Sequence, residues 1–307
     1  MAGGVGAARF LRGLSSLLEP RCLTVIVNTG DDETFFGLHV SPDIDTVIYT
    51  LAGVVAPGQG WGIKGDAFTC LTALGQFYDS TWFRLGDADL ATHIFRTDAL
   101  RRGKTMTAIT RGLARAHGVG VNVLPMTDAP VRTFVEVAGR GPLAFQEYLV
   151  HRGGRGRVTG ITPRGARQAQ PAPGALAALR RATFVIIPPS NPLVSIGPIL
   201  ALPGMRAALR TIQARVAAIS PIVAGAPVKG PLHHMLDGLG HEVSPVGVAR
   251  LYRQLADIFV LDERDAALAP RIAEMGMRPI ITDTLMTSPA KSRRLAATVL
   301  AALRQCT

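Results

Sequence analysis

Seven short apolar runs punctuate this chain, and helical patterns fill most of the gaps between them. The runs fall at 23–27, 120–124, 131–137, 184–188, 216–220, 258–261 and 279–282, and their lengths suit strands. Helical patterns lie at 46–55, 90–101, 107–117, 175–181, 196–210, 230–239, 246–255 and 288–303. Strands alternating with helices predict an α/β fold: a Rossmann-like, mostly parallel sheet with helices on both faces. The stretch 131–161 breaks this rhythm. It has few helical signals and predicts a small β-rich insertion in an otherwise single domain over 1–307. There is no internal repeat and no low-complexity tract.

A sheet of this kind takes its ligands in the crevice outside the carboxyl ends of its strands. The run 23–27 ends in Asn28-Thr-Gly-Asp-Asp32, and Ser41-Pro-Asp-Ile-Asp-Thr46 follows closely. Asp31, Asp32, Asp43 and Asp45 thus gather beside one strand end. Mg²⁺ takes oxygen ligands, commonly one or two carboxylates with waters and substrate phosphates. Asp31 and Asp45 are the expected metal ligands and catalytic acids. Asp43 equally suits a helix cap after Ser41-Pro42, and Asp32 equally suits solvation of the turn.

Just upstream, Gly3-Gly-Val-Gly6 opens into a helical pattern at 10–18. Gly3, Gly4 and Gly6 would let backbone N–H groups approach a phosphate at a helix start. The same residues also fit an ordinary tight turn, because the spacing matches neither a P-loop nor the dinucleotide fingerprint. A phosphate turn normally follows a strand, and only Met1 and Ala2 precede Gly3. Either the turn lacks its usual anchoring strand or the sequence begins inside one. An NAD-dependent reading fails on the glycine spacing, and Asn28 stands where that fold wants an acid.

Further polar groups cluster after other strands. Asp89, His93 and Arg96 share one helix face and suit polar substrate groups, or a plain surface pair. Ser190 and Asn191 follow the run 184–188, and Ser220 ends the next run; they offer hydroxyl and amide groups, or simple capping turns. Lys229 can reach a phosphate as a point charge. Lysine is scarce here, at 64, 104, 229 and 291 only, so arginine supplies most of the 33 basic residues. His233 and His234 face different ways on a helix and make a poor metal pair. Trp61, Phe68 and Trp82 either wall a pocket for a flat heterocycle or belong to the core.

The formal net charge of +11 favours anionic metabolites through long-range steering. No zinc-knuckle spacing, helix-turn-helix or aromatic stacking motif supports nucleic-acid binding. No apolar run reaches the roughly 20 residues that span a bilayer, so no membrane partner is expected. Cys22, Cys70 and Cys306 follow no pairing pattern. With no signal-peptide pattern visible, they point to a reducing, cytoplasmic setting.

Taken in order, the motifs resemble a known family. They are Gly3-Gly-Val-Gly6, Asn28-Thr-Gly-Asp-Asp32, Pro42-Asp-Ile-Asp-Thr46, Gly60-Trp-Gly62, Leu85-Gly-Asp87 with Asp89-Leu-Ala-Thr-His93, Leu124-Pro-Met-Thr-Asp128, Pro189-Ser-Asn-Pro192 with Ser195-Ile-Gly-Pro198, and Ser220-Pro-Ile-Val223. The chain resembles the 2-phospho-L-lactate (or phosphoenolpyruvate) transferases of coenzyme F420 biosynthesis, nearly end to end. That resemblance implies an Mg²⁺-dependent reaction. A guanosine-diphosphate-activated phospho-acid (2-phospholactate, phosphoenolpyruvate or 3-phosphoglycerate) gives its acid-bearing phosphoryl unit to the ribityl hydroxyl of the deazaflavin Fo, and GMP leaves. Asp45 matches the family's deazaflavin-binding acid, and Arg84 a basic residue before Leu-Gly-Asp. His93, Arg96, Met126 and Thr127 are carried as substrate contacts. Gly3, Gly4, Gly6, Ser190, Asn191, Ser220 and Lys229 are carried as contacts to phosphate or nucleotide. The family's Gly-Asp-Arg-Asp stands here as Gly86-Asp-Ala-Asp89. A homodimer is implied. A related branch with a similar glycine turn and acidic loop binds nucleotide sugars and regulates carbon metabolism; it is the alternative reading.

Overall fold

The structure, a computed structural model, describes residues 1–305. Thr24–Val27 pairs in parallel with Asn122–Pro125. Phe184–Ile187, Arg215–Ile219, Ile258–Leu261 and Arg278–Ile281 form a second parallel set, adjacent in that order. Met1 and Ala2 join the two sets. The Ala2 N–H donates to Ile26 at 2.8 Å, and the Ala2 carbonyl accepts from Asn28 at 2.9 Å. The Met1 amine donates to the Ile186 carbonyl at 3.1 Å. A two-residue strand position therefore leads straight into the glycine turn.

Successive strand residues point to opposite faces, and here the two faces feed two separate cores. Ile26, Val185, Ile187, Val216, Ala218, Phe259 and Leu261 pack on one side. Val25, Val27, Ala217, Ile219, Ile258 and Val260 pack on the other. This explains why the strands read as continuous apolar runs rather than alternating ones. Helices Gly4–Ser15, Pro42–Leu51, Met106–Ala116 and Pro289–Arg304 cover the second face. Ala175–Arg181, Met205–Thr211, Leu232–Gly238 and Pro245–Leu251 cover the first. Phe259 and Val260 are both fully buried, and sealing such a side chain from water contributes about 2 kcal/mol.

Several elements differ from the expectation. The first helix starts at Gly4 rather than near residue 10. It crosses the last helix so closely that a Cβ on Gly13 would collide with the Ser292 carbonyl. The helix expected over 196–210 is broken: Gly197–Ala201 and Met205–Thr211 are separate, because Pro203-Gly204 cannot continue it and Gly204 takes φ 78°. A short hairpin, Glu33–Phe35 with Leu38–Val40, was not foreseen; its three-residue strands carry too little pattern to read. Arg132–Val137 pairs antiparallel with Gly141–Ala144 and Val158–Arg164, and this small sheet packs Val135, Val137 and Val158 against Tyr148 and Met235. Among the described residues no single helix is long and apolar enough to cross a membrane. Cys22 and Cys70 are free and exposed, and Cys306 lies outside the described residues.

Candidate active site

The glycine turn and the acidic loop meet at the carboxyl edge of the sheet. Asp43 lies in the first turn of Pro42–Leu51, yet its carboxylate serves another helix. Its Oδ1 accepts from the Gly4 N–H at 2.6 Å, and its Oδ2 accepts from Asn28 Nδ2 at 2.9 Å. The anion at the start of the first helix is therefore a side chain of this chain, favoured there by the helix dipole. Asn28 also accepts from the Gly30 N–H at 2.8 Å, which fixes the turn that carries Asp31. The glycines are steric necessities: a Cβ on Gly3 would stand 2.7 Å from Asp43 Oδ2 and from Ser195, and one on Gly6 would collide with the Pro189 carbonyl.

Asp31 and Asp43 are both buried. Burial, and then the charges of Asp43 and Asp32, hold the Asp31 carboxyl well above the usual carboxylate range, against a hydrogen bond from Asn28. Burial likewise raises Asp43 to about 6, with Asp32 adding to the shift and Asn28 and Gly4 opposing it. Asp32 is tied by His39 Nε2 at 3.0 Å and by the Ser41 hydroxyl at 2.8 Å.

A second cluster surrounds Asp45. Arg96, fully buried, donates to its carboxylate, and His93 Nδ1 stands 3.7 Å from its Oδ2. Burial pushes Asp45 up, while Arg96 and His93 pull it down. His93 Nε2 lies 3.3 Å from Asp89, whose carboxylate also accepts from the Tyr49 hydroxyl at 2.7 Å. The sequence set His93 and Arg96 on a face open to substrate. In the structure both are enclosed and act on Asp45.

Beside this cluster opens a cavity of about 230 Å³, lined by Trp61, Phe68, Asp66, Gly86 and Asp89 among others. Arg84 lies over the Phe68 ring, 4.3 Å from its centroid. Two aspartates brace the cavity by capping each other's helices. Asp66 accepts from Ala88 and Asp89 N–H at 2.7 and 3.0 Å, starting Asp87–Arg101, and Asp87 accepts from Thr69 and Cys70 N–H at 3.0 Å each, starting Thr69–Leu74. A Cβ on Gly86 would collide with Asp66. Trp82 stands elsewhere, edge-on to Phe35. A larger cavity, about 620 Å³, opens at the amino ends of the strands beside Arg210, Arg215 and Asp257, away from this chemistry.

Comparison with known proteins decides the family. Residues 1–301 match the 2-phospho-L-lactate transferase CofD family. The chain belongs to that family. It is 41% identical over 296 residues to a 2-phospho-L-lactate transferase of Methanosarcina acetivorans, covering 96% of this chain and 95% of that protein. It is 43% identical over 292 residues to a phosphoenolpyruvate transferase of Streptomyces griseus, covering 94% and 92%. A solved UPF0052-family protein of Bacillus halodurans shares the fold with a TM-score of 0.62 at 16% identity, covering 97% of this chain and 96% of that one.

In this CofD-family chain the acids suit a small divalent cation. Asp31 Oδ1 and Asp32 Oδ1 are buried without a hydrogen-bond partner among the described residues. A cation would satisfy these two oxygens and lower the carboxyls that burial and neighbouring acids raise. Among the described residues no group of three or more His, Cys, Asp and Glu forms a preformed cage, and Mg²⁺ needs only one or two carboxylates besides phosphate and water. Asp31 with Asp43 fits this. The expected partner Asp45 does not: its Oδ2 has no hydrogen-bond partner, but a cation there would share the carboxylate with a guanidinium.

The remaining candidates divide. The Ser190 hydroxyl donates to the Gly3 carbonyl at 2.8 Å and ties the glycine turn to the neighbouring strand end. Asn191 caps the next helix by accepting from Leu193 at 2.9 Å. The Ser220 hydroxyl closes its own turn onto the Ile222 carbonyl at 2.9 Å. Met126 is a core residue with no exposed surface, and the Thr127 hydroxyl is engaged by the Gln170 carbonyl at 2.6 Å; neither offers substrate an open atom. Lys229 is exposed beside the first helix, its Nζ on the Gln59 carbonyl at 2.6 Å. Asn28 and His39 were not singled out as site residues, although both sit in or beside the acidic motifs, and Asp43, one of the four acids read from the sequence, was set behind Asp45.

Proposed function

We propose that this chain transfers a phospho-acid unit from its guanosine-diphosphate-activated form to the ribityl hydroxyl of Fo. The hydroxyl oxygen bonds to the phosphorus that bears the acid, the bond from that phosphorus to GMP breaks, and F420-0 or its dehydro form results. Phosphoryl transfer depends chiefly on positioning and charge neutralisation. Asp31 and Asp43 would hold Mg²⁺, which supplies charge neutralisation to the diphosphate when bound. Asp45, gripped by Arg96 and His93, is a fixed acceptor suited to orienting the attacking hydroxyl. Trp61 and Phe68 offer flat apolar walls for the deazaflavin, with Arg84 and Asp89 at the rim. Lys229, exposed beside the first helix, would face the phosphates.

The observation that carries this reading is the Asp31–Asp43 pair: two buried acids, both raised by burial and by the neighbouring Asp32, at the carboxyl edge, in a chain of this family. The test is purified protein with Fo, Mg²⁺ and each of the three guanosine-diphosphate-activated acids, with mass spectrometry of the product. One donor is expected to yield the deazaflavin phosphodiester together with GMP. No product from any donor, with calorimetric binding of UDP-sugars and none of Fo, would instead support the regulator reading.

A further inference from the structure

Two cations outside the acidic cluster converge on one loop tip. Arg9 Nη2, from the first helix, donates to the Gly58 carbonyl at 3.2 Å. Lys229 Nζ donates to the next carbonyl, Gln59, at 2.6 Å. Among the described residues neither cation has a carboxylate partner. Partial burial of the ammonium, and then the nearby Arg9 charge, hold Lys229 below the usual lysine range. Two like charges held only by neutral carbonyls are under-compensated, and an ionised oxygen makes roughly twice as strong a bond to either.

The loop they hold is pinned at its base and turns through two glycines at its tip. Its base is fixed by the Val55–Ile63 bridge and by Ala56 N–H donating to Gly62 at 3.0 Å. Its tip runs through Gly58 at φ 85° and Gly60 at φ 77°, and Gly60 lies on Val5, one turn before Arg9 on the first helix. Pro57 and Gln59 of this tip also line the cavity that holds Trp61 and Phe68. One short segment therefore touches both the dication and the aromatic cavity.

We infer that Arg9 and Lys229 form a clamp for a phosphoryl anion, and that filling the clamp frees the 57–60 tip and opens the Trp61–Phe68 cavity. The anion's oxygens take the place of the Gly58 and Gln59 carbonyls. The inference rests on the proposed function only for the source of that anion, the diphosphate of the donor; binding of donor then precedes binding of acceptor.

The chain has two tryptophans, so Trp82→Phe leaves Trp61 as the sole reporter. This variant is titrated, in EDTA and without Fo, with GDP, inorganic pyrophosphate, inorganic phosphate and guanosine. EDTA prevents the acidic cluster from recruiting anions through a cation. GDP and pyrophosphate are expected to bind and to shift Trp61 emission; guanosine is expected to do neither. A response to inorganic phosphate equal to that with GDP would make free phosphate the ligand and overturn the donor assignment. Arg9→Gln and Lys229→Gln, each with an unchanged melting temperature, should weaken pyrophosphate about tenfold and abolish the emission shift. Undiminished pyrophosphate binding in both variants overturns the clamp, and binding without any Trp61 response overturns the release of the tip. A chain that shows the full clamp signature but forms no phosphodiester in the transfer assay overturns the transferase reading alone.

Discussion

Arg96 and Asp45 lie 51 residues apart in sequence and are bound to each other in the interior, where the guanidinium is fully buried. Removing one partner of such a pair leaves the other charge buried and unpaired, which typically costs about 3–5 kcal/mol. Arg96→Met should lose at least about 3 kcal/mol in urea denaturation. Adding Asp45→Asn should restore part of that loss. A double variant no more stable than Arg96→Met would show that the pair is not what the guanidinium supports.

Asp43 gives the metal-free protein a distinct pH dependence. Its carboxyl is raised from 3.8 to about 6 in the fold. Between those values the folded chain keeps a proton that the unfolded chain has lost, so stability falls as pH rises through the window. Below it both states are protonated and the penalty is absent; above it the penalty is complete. Asp43→Asn should therefore gain on the parent between pH 4.5 and pH 7.5, measured in EDTA, by at most about 3 kcal/mol. A difference that stays flat across the window would remove burial of this charge from the account.

Metal removal should abolish transfer and Mg²⁺ should restore it. Asp31→Asn, which keeps the side-chain shape and loses the charge, should lower kcat roughly a hundredfold or more at saturating Mg²⁺. It should also remove the Mg²⁺-induced rise in melting temperature. Near-parental turnover in this variant would exclude Asp31 from the site.

Two glycines of the first helix should separate packing from chemistry. Gly13 meets the Ser292 backbone, and Gly6 meets the Pro189 backbone. Alanine at either forces a backbone shift, costing about 1–3 kcal/mol. Gly13→Ala should lower the melting temperature and leave the GDP affinity of the surviving folded protein intact. Gly6→Ala, beside the turn itself, should weaken GDP as well, as read by calorimetry.

The sheet was legible because its strands are apolar on both faces, and 258–261 could be placed to the residue. The hairpin at 33–40 was not, since Glu33, Thr34 and His39 interrupt any alternation. The break after Ala201 carried a local signal, Pro203-Gly204, which a longer apolar pattern outweighed. At the site, the sequence marked the acids but not their pairing. Spacing placed Asp43 at the start of its own helix; nothing local shows that its carboxylate caps Gly4, 39 residues earlier. Likewise the shared face of Asp89, His93 and Arg96 was readable, whereas its burial against Asp45 is a property of the packed fold. Trp61 and Phe68 line the cavity, and Trp82, indistinguishable from them in sequence, does not.

The close crossing of Gly4–Ser15 over Pro289–Arg304 has a temporal meaning. The segment that carries the glycine turn is synthesised long before the helix it leans on. Until Pro289–Arg304 has been made, the helix Gly4–Ser15 has no permanent neighbour on that flank. A chain that still lacks Pro289–Arg304 would therefore hold its acids without the scaffold that keeps them together.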